Sequence, residues 1–238
     1  MTWSILARDA RGHFGMAIAS RFFAVGSLCV HARRGVGVLS TQALLNPLYG
    51  PAGLDRLALG DTAAQAIASV IAGDPGREHR QIHVLPSNGP AAVHTGAQCI
   101  AWCGHLAGKD LSVAGNMLAG PEVLEATAQA YLAGEGQPMA ERLLAAMDAG
   151  QAAGGDKRGK QAASLKILAD EDYLQLDLRV DDHPEPLAEL RRLYTVSLER
   201  FQPFLSCLPG RGRPAGITDR AQIEAVIEQF HAMSFKDG

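Results

Sequence analysis

The chain has 238 residues, of which 47% are hydrophobic and 20% are charged, and its formal net charge is -3. These values are typical of a soluble globular protein and allow one large domain or one domain with an appendage. The weak negative charge gives no reason to expect a nucleic-acid or acidic-membrane partner, and no apolar run approaches the ~20 residues that cross a bilayer.

The first residues do not form a secretory signal, because Arg8 and Asp9 interrupt the apolar run that such a signal needs. Four cysteines in a chain of this length do not indicate a disulfide framework. We therefore expect a cytoplasmic protein that does not associate with membranes.

Four strand patterns open the chain, at residues 3–7, 15–20, 28–32 and 35–41. A polar turn at 9–12 joins the first two and predicts a hairpin that begins at the N-terminus. Apolar residues at helical spacing then fill residues 51–73. Within this stretch Asp61 and Thr62 offer a helix cap and Gly73 a stop, which predicts two helices.

Strand patterns return at residues 81–85, 91–95, 99–102 and 111–114. The pair Asn88-Gly89 between the first two is a strong hairpin signal. Two helices are predicted next, over 121–131, where Pro121 suits the first turn, and over 139–152. Two further strands complete the pattern, at residues 162–168 and 173–180.

The C-terminal part of the chain differs in composition from the rest. Residues 186–204 predict a long helix, residues 209–214 are rich in Gly, Pro and Arg, and residues 217–233 predict a last helix. We therefore expect a domain over residues 1–181 and a helical C-terminal extension over 182–238, packed on the domain or on a partner subunit.

Strands grouped in hairpins, rather than alternating with helices, favour antiparallel sheets over a doubly wound Rossmann domain. Two pairs of helices inserted between the strand groups suit an α+β fold in which helices cover two stacked sheets. The sequence therefore predicts a four-layer αββα sandwich of two antiparallel sheets.

Two motifs resemble cofactor sites but lack residues that such sites require. Residues 154–161 come within one residue of a P-loop, but Gln161 replaces the magnesium-binding Ser or Thr, and a helix precedes the loop. Cys99 and Cys103 have a spacing that places both on one face of a strand. Without a second cysteine pair they are a weak zinc signal and are better explained as half-buried core cysteines. We expect no metal and no cofactor.

The residue that suggests chemistry is Thr2. If Met1 is removed, Thr2 carries a hydroxyl and a free α-amino group, and an amine of near-neutral pKa can take the proton from the hydroxyl. Nucleophile and base then belong to one residue, which is a known substitute for a Ser-His-Asp triad. The plainer interpretation is that Thr2 only begins an edge strand.

Polar residues also stand near the predicted strand ends: Ser20, Arg21, Gln42, Asn46, Asn116, Asp156, Arg158 and Gln161. Taken singly, each is explained as a strand terminus, a turn residue or a solvated loop pair. Together they supply a cation, amide donors for an oxyanion and a hydrogen-bonding floor, which an acyl-transfer site needs.

Several segments resemble an uncharacterised bacterial family catalogued only as a domain of unknown function: residues 2–5, 19–26, 40–43, 74–81, 115–120 and 150–159. The resemblance implies an N-terminal nucleophile (Ntn) hydrolase fold. A looser resemblance to proteasome-type β subunits rests on Thr2 and on the Ser20-Arg21 pair that ends the second strand. The proteasome lysine would fall near Arg33 and Arg34, and an arginine does not release a proton as a lysine does.

Two functions remain open. The first is an Ntn-type amidohydrolase acting on a small or peptide-like amide, with Thr2, Arg21 and Asn116 as catalytic residues. Its substrate-binding residues would be Ser20, Gln42, Asn46, Asp156, Arg158 and Gln161. The second is a non-catalytic binding or assembly module of the same fold, favoured by the missing lysine and the helical tail. In either case we expect a homo-oligomer, most simply a dimer.

Overall fold

The computed structural model describes residues 2–234. Backbone contacts divide the chain into two units, Met1–Leu190 and Arg191–Gly238. The first unit holds two antiparallel β-sheets, of six and four strands, together with helices, so the fold is α+β. Within the described residues no helix is long and apolar enough to cross a membrane. The predicted removal of Met1 concerns a residue outside the described range.

The strands, in chain order, are β1 (Thr2–Arg8), β2 (Phe14–Ser20), β3 (Val30–Arg33), β4 (Gly37–Ala43), β5 (Arg80–Pro86), β6 (Ala92–Thr95), β7 (Gly104–Ala107), β8 (Leu111–Asn116), β9 (Ala162–Leu168) and β10 (Leu174–Val180). The helices are α1 (Val25–Leu28), α2 (Tyr49–Ala58), α3 (Ala63–Ala72), α4 (Glu122–Ala133), α5 (Met139–Ala152), α6 (Pro186–Glu199), α7 (Phe201–Leu205) and α8 (Arg220–Ser234).

The larger sheet has the strand order β10-β9-β2-β1-β8-β7, and the smaller sheet has the order β3-β4-β5-β6. Strand β1 therefore lies between β2 and β8. Its first residue, Thr2, pairs with Ser20 on one side and with Asn116 on the other. Two neighbouring strands thus bring residues that are distant in the sequence beside Thr2.

One pair of helices packs on each sheet, α2 and α3 on the smaller sheet and α4 and α5 on the larger, and the short helix α1 contacts strands of both. The break between α2 and α3 follows from local chemistry. Thr62 is the N-cap of α3, and its side chain and that of Gln65 form the reciprocal bonds of a capping box. The apolar face of α3, which includes Ala66 and Ile67, then packs on the smaller sheet.

The space between the two sheets is apolar at one end. Leu6 of β1, Met16 of β2 and Val38 of β4 belong there to one buried cluster with Leu85 of β5. Removal of these side chains from water favours the association of the two sheets. We call this region the apolar end.

The same strands carry polar side chains at the other end of this space, which we call the polar end. Side chains alternate between the two faces of a strand. Ser4 therefore lies on the same face of β1 as Leu6, and Gln81 and His83 lie on the same face of β5 as Leu85. Ser4, Gln81 and His83 are fully buried. Buried polar groups are costly unless they find partners.

Two parts of the sequence prediction are wrong. The strand expected at residues 99–102 is a loop, and the strand begins only at Gly104. Cys99 and Cys103 therefore do not share a strand face. The apolar character of the loop has another cause, because Cys99 and Ile100 form part of a cavity wall.

The prediction of a single long helix over residues 186–204 is also wrong, because two helices cover this segment. Helix α6 ends at Glu199, Arg200 leaves the helical conformation with φ -145°, and α7 begins at Phe201. Arg200 forms hydrogen bonds with Glu224 of α8 at Nη1···Oε2 2.9 Å and Nη2···Oε1 2.5 Å. In the unit Arg191–Gly238 this pair connects the chain break to the last helix.

Candidate active site

A cavity of about 510 Å³ opens at the polar end. Its buried walls include Thr2, Ser20, Gln42 and Asn116, which lie at the ends of β1, β2, β4 and β8. Thr2 is 7% exposed, whereas the other three are at most 2% exposed. The cavity also contacts the predicted site residues Arg21 and Arg158. The fold thus brings most of the predicted residues to one place.

The hydroxyl of Thr2 is held beside a second hydroxyl. Thr2 Oγ1 lies 3.0 Å from Ser20 Oγ, and either atom can be the donor. This contact follows from the register of β1 with β2, in which Thr2 and Ser20 are direct partners. Asn116 is the partner of Thr2 on the other side, so a hydroxyl and an amide flank the Thr2 side chain.

A buried network behind this row of residues is centred on Gln81. Its Nε2 donates to the carbonyl oxygens of Gly104 at 3.1 Å and Gly115 at 3.0 Å, and to Thr95 Oγ1 at 3.0 Å. Its Oε1 accepts from Gln42 Nε2 at 2.7 Å and from Asn116 Nδ2 at 3.2 Å. Gln81 therefore holds two residues of the cavity wall by their side-chain amides.

The backbone carbonyls fix the orientation of the Gln81 amide and, through it, that of Gln42. Since carbonyl oxygens only accept, Gln81 must present its Nε2 to them and its Oε1 to Gln42. Gln42 then accepts through Oε1 from Ser4 Oγ at 2.8 Å. Ser4 Oγ also lies 2.8 Å from His83 Nε2. His83 Nδ1 lies 2.9 Å from Ser112 Oγ.

His83 lies at the buried end of this network. Burial, and next the nearby His105, lower its pKa to about 3. His83 does not line the cavity, so the buried Ser4-His83 pair is not a nucleophile and base exposed to a substrate. Its role in the site is to complete the hydrogen bonds that orient Gln42.

A second polar cluster lies where the chain leaves β2. The side chain of Asp156 is fully buried, and its Oδ2 accepts from the backbone N–H of Arg21 at 3.3 Å. Its Oδ1 accepts from the backbone N–H of Arg158 at 2.7 Å, and its Oδ2 lies 3.6 Å from Arg158 Nη2. Arg21 Nη1 donates to the carbonyl oxygen of Arg158. Asp156 thus anchors both arginines without lining the cavity itself.

Two residues of the cavity wall have left-handed backbone conformations. Ala43, the last residue of β4, has φ 67°, and Met117, directly after β8, has φ 57°. Such conformations are unfavourable for residues other than glycine, and strain of this kind concentrates at functional sites. The turns direct the chain along the cavity, where Leu44 and Leu45 form one side.

Asn46 and Gln161 do not line the cavity. Asn46 Nδ2 donates to Asp74 Oδ2 at 3.3 Å, whereas Gln161 Nε2 donates to Asp182 Oδ1 at 3.0 Å. The backbone N–H of Gln161 also donates to the Ser20 carbonyl at 2.9 Å. Both residues therefore support segments beside the cavity and do not face its interior.

The cluster around Asp74 supports the cavity wall from outside. Hydrogen bonds from Arg80, and next from Tyr49, hold the pKa of the Asp74 carboxyl well below its usual range. Burial, and next the bond to Asp74, raise the pKa of Tyr49 to about 12. Arg80 Nη1 also donates to the carbonyl oxygen of Leu44. The cluster thus ties the loop after β4 to β5.

The model of a family described as a family of unknown function, DUF1028, matches residues 2–190. The chain belongs to this family. The match ends at Leu190, where the first unit of the structure also ends. The expected membership of an uncharacterised bacterial family is thereby confirmed.

A DUF1028 protein from Silicibacter pomeroyi of known crystal structure is similar to this chain. The two are 28% identical, the TM-score is 0.84, and the match covers 92% of this chain and 99% of that chain. A comparison with curated proteins found no match. The similarity therefore extends over nearly all of both DUF1028 chains and carries no activity with it.

Sequence reasoning missed Ser4, Gln81 and His83 as parts of the site. A signal was present, because a polar residue replaces the expected apolar one at alternate positions of β1 and β5. Within residues 2–234 no group of three or more His, Cys, Asp or Glu is arranged to hold a metal. The polar groups that line the cavity of this DUF1028 protein include the Thr2 hydroxyl, the amides of Gln42 and Asn116, and two arginines.

Proposed function

We propose that this protein is an amidohydrolase of the N-terminal nucleophile type, acting on a small or peptide-like amide. Removal of Met1 converts Thr2 into a nucleophile with its own base. The observation that carries the proposal is the location of the Thr2 hydroxyl in the cavity wall, 3.0 Å from Ser20 Oγ and beside Asn116. The plainer interpretation, that Thr2 only begins an edge strand, does not fit, because β1 lies between β2 and β8 inside its sheet.

The proposed reaction begins with attack of Thr2 Oγ1 on the amide carbonyl, while the α-amine of Thr2 takes the hydroxyl proton. Free α-amines have a pKa of about 8, which suits a base near neutral pH. The ammonium then gives the proton to the leaving nitrogen, and the C–N bond breaks. Water, deprotonated by the same amine, hydrolyses the Thr2 ester and restores the hydroxyl.

Asn116 is proposed as an oxyanion donor. One N–H of its Nδ2 is engaged by Gln81 Oε1, and an amide nitrogen carries a second N–H. Donors that are oriented before the reaction stabilise the negative charge that develops on the carbonyl oxygen. Ser20, 3.0 Å from the nucleophile, is proposed to orient the Thr2 hydroxyl.

The arrangement of helices also supports the proposal. An Ntn-hydrolase-like αββα sandwich has helices outside each of two stacked sheets, and here α2 and α3 contact one sheet while α4 and α5 contact the other. Similarity of fold alone does not establish an activity. The feature that supports catalysis is therefore the geometry around Thr2 and not the fold.

The experiment compares hydrolysis of a panel of small acyl anilides by wild type, Thr2→Ala and Thr2→Ser, with the intact mass of each protein recorded. We expect a wild-type mass without Met1, a loss of at least about 10³-fold in Thr2→Ala, and partial activity in Thr2→Ser. A lysine inserted between Met1 and Thr2 keeps the hydroxyl but blocks its amine, and should also inactivate the protein.

Retention of Met1 in the active wild-type protein, or undiminished hydrolysis by Thr2→Ala, would overturn the proposal. Loss of activity in Thr2→Ala together with full activity in the lysine-insertion protein would leave the hydroxyl but remove the amine from the mechanism. A protein that keeps Met1 and hydrolyses no anilide would be a binding module of the same fold.

A further inference from the structure

The permanently charged side chains that line the cavity around Thr2 are the guanidinium groups of Arg21 and Arg158. No Asp or Glu is among the described residues that line it. Asp156, behind the wall, lies 3.6 Å from Arg158 and offsets one of the two permanent positive charges. Two guanidinium groups with one buried carboxylate behind them leave the cavity suited to a ligand that carries an anionic group such as a carboxylate.

Arg21 has the geometry to bind such a group. A guanidinium carries several N–H donors in a fixed plane, and Nη1 of Arg21 donates to the carbonyl oxygen of Arg158. This bond holds the guanidinium at the loop between α5 and β9. Arg21 directly follows Ser20, whose hydroxyl lies 3.0 Å from the Thr2 hydroxyl. Arg21 and Thr2 line the same cavity, so one ligand can contact both.

The opposite side of the cavity is apolar. Met117 follows Asn116 on the β8 side of Thr2, and its backbone N–H donates to the carbonyl oxygen of Ile100. Ile100 and Leu44 line the cavity and are 63% and 65% exposed. Exposed apolar side chains grouped at a cavity mouth mark a surface that a ligand covers.

We infer that the cavity binds amides that combine an apolar acyl group with a carboxylate close to the amide nitrogen, the chemistry of an N-acyl amino acid. The acyl group lies against the Met117 side and the carboxylate pairs with Arg21, with the amide at Thr2 between them. This assignment rests on the proposed function for the position of the reacting bond. A cavity of about 510 Å³ is within the usual size for small ligands.

The test measures binding without hydrolysis, by calorimetry with the Thr2→Ala protein. Hexanoylglycine and hexanoylglycinamide have the same acyl chain and differ in the charge of the terminal group. We expect hexanoylglycine to bind at least about tenfold more tightly at low ionic strength, because a charge-assisted pair with Arg21 is made only by the carboxylate. Added salt should reduce the difference.

Arg21→Gln in the same Thr2→Ala background should abolish the preference and leave the affinity for hexanoylglycinamide unchanged. Arg11→Gln is the matched control, since Arg11 is exposed and its partner is Asp9, and it should keep the preference. Equal affinity for both compounds, no binding of either, or an unchanged preference in Arg21→Gln would overturn the inference. Thermal unfolding of each variant checks that the protein is folded.

The two proposals fail in different experiments. A preference for hexanoylglycine in Thr2→Ala, together with no hydrolysis by wild type, would refute the nucleophile and leave the ligand class intact. Hydrolysis of anilides by wild type, without any preference for the carboxylate, would refute the ligand class alone.

Discussion

The two ends of the space between the sheets have opposite chemistry although the same strands form them. On β1 the inward residue is Leu6 at the apolar end and Ser4 at the polar end, and on β5 it is Leu85 at one end and His83 at the other. Each strand therefore changes from apolar to polar in the same direction. The apolar end requires only contact, whereas the polar end requires a defined set of hydrogen bonds.

This difference between the two ends assigns stability mainly to the apolar end and the chemistry of the site to the polar end. Burial of apolar surface at one end favours the association of the sheets without specifying bond directions. At the polar end, the carbonyls of Gly104 and Gly115 fix Gln81, and Gln81 fixes the amides of Gln42 and Asn116 beside Thr2. Substitutions at the two ends should therefore differ in kind as well as in size.

The largest effect on stability is expected at the apolar end. Leu6→Ala removes a fully buried side chain from the cluster between the sheets and should lower the free energy of unfolding by about 3 kcal/mol. Urea denaturation measures the change. Leu59→Ala, at a leucine that is 76% exposed, is the control and should change stability by less than about 0.5 kcal/mol. Equal losses in both variants would contradict the assignment of the core.

The next effect is expected from Gln81→Leu, which preserves size but removes the centre of the network. The carbonyls of Gly104 and Gly115 and the amides of Gln42 and Asn116 lose their partner, so stability should fall by on the order of 2 kcal/mol. In the hydrolysis assay kcat should fall by a larger factor than KM changes, because Asn116 is no longer oriented. Gln137→Leu, at an exposed glutamine, is the control. Unchanged kcat in Gln81→Leu would show that Asn116 orients itself.

An effect of up to about 1.4 kcal/mol per pH unit is expected in the pH dependence of stability. Burial lowers the pKa of His83 to about 3 in the native state, against about 6.5 in an unfolded chain. Between these values the unfolded chain binds a proton that the native protein does not. The stability contributed by neutral His83 is therefore complete above pH ~6.5 and is lost as pH falls toward 3.

Urea denaturation between pH 4 and 7 tests this prediction. The slope of stability against pH in His83→Gln should be flatter than in wild type by up to about 1.4 kcal/mol per pH unit. Parallel curves for wild type and His83→Gln would show that His83 is not held neutral by burial.

The smallest change in stability is expected at the cavity mouth. Ile100 is 63% exposed, so Ile100→Ala should change the free energy of unfolding by less than about 0.5 kcal/mol. Ile100 lies on the side of the cavity assigned to the acyl group, so the affinity for hexanoylglycine should fall about threefold through lost apolar area. A large loss of stability would mean that Ile100 supports the fold and not the ligand.

Local sequence patterns predicted the local features well. The Asn88-Gly89 pair lies between β5 and β6, which form an antiparallel pair, and Thr62 caps α3 as expected. Each of these depends on residues close together in the chain. The loop at residues 99–102 was misread, because an apolar run that covers a cavity has the same composition as a short strand.

The site was predicted only in part, because its geometry depends on pairing between distant strands. Thr2 meets Asn116 through the pairing of β1 with β8, and Gln81 reaches Asn116 only because β5 packs against β8. No local pattern specifies such contacts. Asn46 and Gln161 were expected in the site and instead support it from outside, since polar residues near strand ends look alike in a sequence whichever way they point.

The central claim is that mature Thr2 has a free amine and a reactive hydroxyl. The most direct measurement treats wild-type protein with a hydrophobic β-lactone, an electrophile that acylates nucleophilic hydroxyls, and identifies the N-terminal peptide by tandem mass spectrometry. We predict a peptide that begins at Thr2 and carries the acyl group on its hydroxyl as an ester that hydroxylamine removes, with no label in Thr2→Ala. An unlabelled peptide that begins with Met1 would contradict the account.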